Sequence, residues 1–133
     1  MKIVDCTVLV DFYVGEDAQK EASRALLRED ADWISVGLWR YEFGNVLLKY
    51  VRVGRLGAAE MELALEEVPG LLVETVEDIA ALEVWRLSLE SRLSYYDAAY
   101  VWLARSRNSR LYTRDSGILK KCPDDSAPLP GLS

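Results

Sequence analysis

The sequence predicts an α/β domain built on a central, mostly parallel sheet with helices covering both faces. Three observations predict it. Short apolar runs flanked by polar residues alternate with longer stretches of helical spacing, from Lys2 to Lys121. Turn-forming residues punctuate that alternation, with Gly54 and Gly57 bracketing one junction and Pro69-Gly70 closing another. The chain has 133 residues, half of them hydrophobic, which is enough to bury a core without disulfides or structural metal. With no internal repeat and no low-complexity tract, residues 1–133 read as a single domain.

Taken in order, residues 2–4 form the first strand, ending at Asp5. Asp5 or Thr7 is suited to cap the helical stretch that follows, which carries Asp11. Residues 16–28 have helical spacing, and 33–35 form a second short apolar run read as a strand. Residues 38–53 are a helix because Leu38, Trp39, Phe43 and Val46 recur on one face. A helix over 58–68 follows the glycine-bracketed turn and ends at Pro69-Gly70. Residues 71–74 are predicted as a strand, 76–93 and 96–106 as helices, 110–113 as a strand and 116–121 as a short helix. The tail, 123–133, holds three prolines and is left as either an edge strand or a draped segment.

Composition excludes several classes of function. Sixteen basic against 22 acidic residues give a net charge of −6, which argues against a broad basic nucleic-acid surface but not against a cation-loaded acidic pocket. The absence of histidine removes Ser-His-Asp and Cys-His catalysis and His-ligated zinc. Two cysteines, Cys6 and Cys122, make no disulfide framework and fit a reducing cytoplasm. Asp5 and Asp11 interrupt the apolar start, so no signal peptide is expected. The longest wholly apolar run, 98–104, is too short to cross a bilayer.

Four acids stand out by their apolar company: Asp5, Glu42, Asp97 and Asp115. Asp5 and Asp115 each follow a predicted strand, at the sheet edge where α/β proteins gather functional groups. Glu42 shares a face with Leu38, Trp39, Phe43 and Val46, and Asp97 one with Tyr100, Val101 and Ala104. Capping is the competing role for Asp97, within Ser94-Tyr-Tyr-Asp97, and for Asp115 ahead of residues 116–121. Glu42, in the middle of its helix, has no such alternative. Two carboxylates ~5 Å apart repel by roughly 3 kcal/mol at an effective dielectric of about 20. A cluster of four therefore protonates or takes a cation, and all-oxygen ligation selects hard ions such as Mg²⁺ or Mn²⁺. Metal-assisted phosphodiester hydrolysis is the matching reaction class.

At these segments the chain resembles the PIN-domain ribonucleases, with the size and layout of the VapC-type toxins. The resemblance spans residues 3–121. Val4-Asp5-Cys-Thr7 is similar to the family's opening strand, and Glu42-Phe-Gly-Asn45-Val-Leu to its acidic helix. Ser94-Tyr-Tyr-Asp97-Ala-Ala-Tyr100 resembles its third motif, and Thr113-Arg-Asp115 its Thr-x-Asp element. The resemblance implies a three-layer α/β/α PIN-like domain in which Asp5, Glu42, Asp97 and Asp115 hold one or two Mg²⁺ or Mn²⁺ ions. It implies that Thr7 and Thr113 support the site through their hydroxyls, and that RNA is cut to leave a 5′-phosphate and a 3′-hydroxyl. It also implies a homodimer silenced by a cognate antitoxin protein.

Among the other residues, Arg114 is a candidate RNA-phosphate contact, while Lys49 and Arg52 suit a solvated helix face. Asp11 is expected to face solvent or cap a helix, and Cys6 to be a small core residue. Trp33, Trp39, Trp85 and Tyr100 read as core, with Tyr95 or Tyr96 at the groove mouth or a dimer contact. Two rivals remain. One is a PIN-like module that binds RNA or protein without cutting. The other is a receiver-like phosphatase or phospho-acceptor, which needs a second acid beside Asp5 and a late lysine, and this chain offers Asp5-Cys-Thr and Thr-Arg-Asp115 instead.

Overall fold

A computed structural model describes residues 1–132. Strand β1 (Lys2–Val4) leads straight into α1 (Cys6–Val14), and α2 (Asp17–Glu29) follows after Gly15. Strand β2 (Trp33–Val36) precedes α3 (Trp39–Arg52) and α4 (Ala58–Glu67). Then come β3 (Glu74–Val76), α5 (Ala81–Ser91), α6 (Tyr95–Ser106), β4 (Leu111–Tyr112), α7 (Ser116–Lys121) and β5 (Ser126–Ala127). The five strands form one sheet in the order β3-β2-β1-β4-β5, and every neighbouring pair is parallel. The proline-bearing tail thus supplies an edge strand, with Leu111 opposite Ser126 and Tyr112 opposite Ala127.

Alternation along the strands divides the core into two. Ile3, Ile34 and Leu111 face Val84 and Leu87 of α5, the buried side of α6, and Ile118 of α7. Val4, Trp33 and Tyr112 face α1 to α4 through Leu9, Leu26, Phe43, Leu47 and Met61. The result is the three-layer α/β/α arrangement, with α1–α4 on one face of the sheet and α5–α7 on the other. Gly54 sits at φ 74 just beyond α3, the left-handed position that a helix-ending glycine takes at least cost.

Two boundaries differ from expectation. The strand expected at 71–74 lies at Glu74–Val76, because Pro69-Gly70 starts a 3₁₀ turn over Val68–Leu71. Leu71 and Leu72 turn toward the core under α4, while Val73 is 63% exposed, so register with β2 begins only at Glu74 opposite Ile34. The helix expected over 76–93 starts at Ala81, since Val76 completes β3 and Glu77 is drawn to Arg40. Trp85 is a correction too. Its apolar character predicts a core residue, yet α5 buries Val84 and Leu87 and leaves Trp85 55% exposed, on the outward side with Leu82 and Leu89.

Candidate active site

All five strands run the same way, so their carboxyl ends share one edge. The chain leaves β1 toward β2 on one side and returns from β3 to β4 on the other. That makes the gap beyond β1 and β4 the switch point where α/β sheets bind ligands. Asp5 is the residue after β1, and Thr113-Arg114-Asp115 follow β4. Glu42, expected in the middle of its helix, lies in the first turn of α3, because the helix starts only at Trp39, and α3 leaves the same edge after β2. Helix α6 runs toward the start of β4, so Asp97 in its first turn lies at the carboxyl edge too. Topology alone therefore brings the four expected acids to one rim.

Hydrogen bonds organise half of that rim tightly. Asp5 caps α1, its Oδ1 accepting from the Thr7 amide at 2.9 Å and the Thr7 hydroxyl at 2.5 Å. Its Oδ2 accepts from the Thr113 hydroxyl at 2.5 Å. Each hydroxyl donates to Asp5 and accepts an amide in return: Thr7 Oγ1 from Arg114 at 3.0 Å, and Thr113 Oγ1 from Asp115 at 2.9 Å. Asp5, Thr7, Thr113 and Asp115 thus form one connected network. Asp115 also caps α7, taking the Ile118 amide on Oδ1 at 3.0 Å. The capping role that the sequence offered is realised at Asp5 and Asp115, and both caps lie on the rim that gathers the four acids. At Asp97 the cap is Ser94, whose Oγ accepts the Asp97 amide at 3.1 Å and leaves the Asp97 carboxylate free of that duty.

The other half is held across the sheet edge. Glu42 is half-buried, and its Oε1 accepts the Tyr100 hydroxyl at 2.5 Å. Tyr100 was expected as core, and its ring is core at 1% exposure. Its hydroxyl as the anchor of Glu42 was not anticipated. A signal existed: Tyr100 is three residues past Asp97, hence on the same helix face. Burial and the neighbouring Glu42 charge push the Tyr100 hydroxyl above the usual phenol range, so it stays a donor.

Burial, with a smaller share of like charge at Glu42 and Asp97, raises the carboxyls of the rim. Burial raises Asp5 from its ordinary 3.8 to about 6, against the opposing pull of the Thr113 and Thr7 hydrogen bonds. Glu42 is raised by burial and then by the charge of Asp97. Asp97 is raised by burial and by Asp115, with the Ser94 bond and Lys121 acting the other way. Burial likewise pushes the Cys6 thiol up, which agrees with an inert core cysteine. The donor set is all carboxylate and hydroxyl oxygen, which fits Mg²⁺ or Mn²⁺ chemistry. Among the described residues, however, no three acids close to ligand distance, so the rim gathers the donors without drawing them into a finished coordination shell.

Two expectations change here. Asp11, expected at the surface or as a cap, is buried at 1% exposure and receives Arg114 Nε at 2.6 Å and Nη2 at 3.1 Å. Arg114, the candidate phosphate contact, accordingly directs two of its donors at Asp11. Asp11 lies four residues past Thr7, one turn along the same face of α1, and that spacing was the available clue. Lys49 and Arg52 are exposed as expected, and Tyr96 is exposed beside Leu38, Tyr41, Glu42 and Asn45.

Known proteins share this architecture over nearly the whole chain. The chain is 30% identical to Ribonuclease VapC3 of Pyrobaculum aerophilum over 125 residues, covering 91% of this chain and 94% of that one. The crystal structure of PAE2754 from the same organism superposes with a TM-score of 0.77 at 28% identity, covering 96% of this chain and 89% of the other. A chain of a toxin–antitoxin complex from Klebsiella pneumoniae shares the fold, with a TM-score of 0.66 at 16% identity and 96% of each chain covered. The family model described as PIN domain matches residues 2–122, and with the carboxylate rim at the switch point of an all-parallel sheet, the chain belongs to the PIN-domain family.

Proposed function

We propose that this protein is a metal-dependent endoribonuclease, the toxin of a toxin–antitoxin pair, with Asp5, Glu42, Asp97 and Asp115 as its catalytic carboxylates. The observation that carries the reading is the rim itself. Buried and half-buried acids from β1, α3, α6 and the β4–α7 turn share one edge, and burial raises three of them. A non-catalytic binding module has no use for the repulsion that Asp97 shares with Glu42 and Asp115. Similarity to a VapC ribonuclease over 91% of the chain supports RNA as the substrate.

Mg²⁺ or Mn²⁺ held by these carboxylates would supply positive charge to the scissile phosphate and lower the pKa of the attacking water. The chain's own residues prepare the place. Thr7 and Thr113 fix both oxygens of Asp5, and Tyr100 fixes Glu42, so neither carboxylate reorganises when substrate arrives. Asp97 carries no cap of its own, since Ser94 caps α6, and its carboxylate faces Asp115 and Glu42 across the rim. With no histidine in the chain, proton transfer falls to these carboxylates and to water.

The proposal extends to a cytoplasmic homodimer silenced by a cognate antitoxin that occupies the acidic rim. Among the described residues, no helix is long and apolar enough to cross a membrane. Sedimentation of the purified protein checks the dimer, and co-purification with the product of the adjoining gene checks the antitoxin.

The deciding experiment is cleavage of end-labelled linear RNA and of circular RNA with Mg²⁺, Mn²⁺ or EDTA, beside Asp97→Asn. Metal-dependent opening of the circle, lost in the variant, establishes the endonuclease. Full activity in Asp97→Asn would sink the site assignment. Absence of cutting on every RNA, with Mn²⁺ still raising Tm, would move the reading to the binding module.

A further inference from the structure

Among the described residues the buried carboxylates are Asp5 and Asp11, and the proposed chemistry uses only Asp5. Burying an ionised carboxylate is costly unless it is paired and hydrogen-bonded. Asp11 is met by the Arg114 guanidinium side-on, at 2.6 Å and 3.1 Å, across 103 residues of sequence. Burial nonetheless holds its pKa above the ordinary value, with Arg114 acting the other way. The pair thus joins a buried carboxylate to an arginine whose side chain is 40% exposed.

Its place in the chain gives it a consequence. Arg114 stands between Thr113, which binds Asp5, and Asp115, the fourth acid of the rim. Its amide donates to Thr7 Oγ1 at 3.0 Å, and its guanidinium reaches Asp11 one helical turn further along α1. Backbone and side chain of one residue thus pin the β4–α7 turn to α1 at two points. Without the guanidinium contact, the side-chain links from the turn to Asp5 and α1 are the two threonine hydroxyls. An Arg–carboxylate fork is the right device for this, because two parallel hydrogen bonds fix direction as well as distance.

We propose that Asp11 and Arg114 form a positioning clasp that sets the Asp115 carboxylate against Asp5, and through it the affinity of the rim for a divalent cation. The clasp rests on the nuclease reading for its effect on cleavage only. Its effect on cation affinity and on the mobility of the turn stands without it. The role differs from that of a phosphate contact, which acts through RNA affinity and not through Asp115.

The test compares Asp11→Asn, Arg114→Gln and the double variant, each with three readouts: Mn²⁺ affinity of the protein without RNA, amide hydrogen exchange across residues 113–116, and kcat and KM for RNA. Each single variant is expected to weaken Mn²⁺ binding and kcat by about 10- to 100-fold, the range seen when a group supporting a metal ligand is removed. Exchange at the Asp115 amide should rise in both, and KM should move little. Because the two residues act as one unit, the double variant should be no worse than the poorer single one. A KM rise and weakened salt dependence in Arg114→Gln alone, with Asp11→Asn unimpaired, would overturn the clasp in favour of an RNA contact. A fall in Tm with Mn²⁺ affinity and Asp115 exchange unchanged would overturn it in favour of a purely structural pair. If the wild-type protein binds Mn²⁺ but cuts no RNA, the nuclease reading falls and the first two readouts still decide the clasp.

Discussion

The Tyr100 hydroxyl donates to Glu42 Oε1 at 2.5 Å and thereby joins α6, on one face of the sheet, to α3 on the other. The bond passes around the carboxyl edge and spans 58 residues of sequence. It fixes Glu42, which has no capping role, and ties it to the helix bearing Asp97.

Tyr100→Phe removes the donor and leaves the ring in place. Glu42 is half-buried, so water replaces the hydroxyl only in part, and the stability loss should be about 1 kcal/mol. The Tyr100 bond lowers the Glu42 pKa, so its loss lets burial and Asp97 push that pKa further up. The acid limb of the cleavage pH profile should move to higher pH, with a lower kcat. An unchanged limb would show that Glu42 is positioned by something else.

Asp97→Asn should cut activity by at least about 100-fold, the scale of losing one preorganised electrostatic group. The helix cap survives, because Ser94 and not Asp97 provides it. Removing the charge relieves repulsion with Asp115 and Glu42, so the metal-free variant should melt higher than the wild type. Thermal melts in EDTA read this directly, and a lower Tm would contradict it.

Stability of the metal-free protein should fall as pH rises from about 4 to about 6. The folded pKa of Asp5, about 6, lies above its ordinary 3.8, so the folded state binds the proton more tightly. That contribution is complete below the ordinary value and is lost as pH climbs through the folded one. At 1.36 kcal/mol per pKa unit it is on the order of 3 kcal/mol. Asp97, Glu42 and Asp11 are raised too and add in the same direction. Denaturant melts across this range should show the slope, and Asp5→Asn should flatten it. Saturating Mn²⁺ should oppose it, since a ligand at 100 times its Kd adds about 2.7 kcal/mol to the folded state.

Thr113→Val keeps the shape and deletes both functions of the hydroxyl, the donor to Asp5 and the acceptor for the Asp115 amide. Thr113 is fully buried, so the Asp115 amide and one Asp5 oxygen lose a partner that water cannot readily replace. A loss of about 1 to 3 kcal/mol is expected, along with weaker Mn²⁺ binding. Thr113→Ser should restore most of both, which separates the hydroxyl from the methyl.

Much of this site was legible without coordinates because it is built on strand ends. Once β1 and β4 are recognised as parallel neighbours, Asp5 and Asp115 have one edge to occupy, and helical spacing turns Glu42 and Asp97 toward it. Trp85 shows where the same logic fails. Local apolar character marks a residue as core, but only the packing of α5 decides that Val84 and Leu87 face the sheet while Trp85 faces out. The β3 boundary failed for a similar reason, since Leu71 and Leu72 are equally good strand and core residues until Pro69-Gly70 and the register with β2 choose.

Strand–helix alternation, a local property of the chain, was enough for the fold class, and residue type and spacing were enough to single out Asp5, Glu42, Asp97 and Asp115 as candidates. Of the groups that hold those acids, Thr7 and Thr113 were expected from the sequence, and packing added Tyr100 and the Asp11–Arg114 pair. Thr7 and Thr113 on Asp5, Tyr100 on Glu42, and Asp11 with Arg114 all meet by side-chain geometry, and apart from Thr7 they join residues 58 to 108 positions apart. Nothing in a linear pattern measures a distance of that kind, and the physical reason is that long-range hydrogen bonds form only after both faces of the sheet are packed.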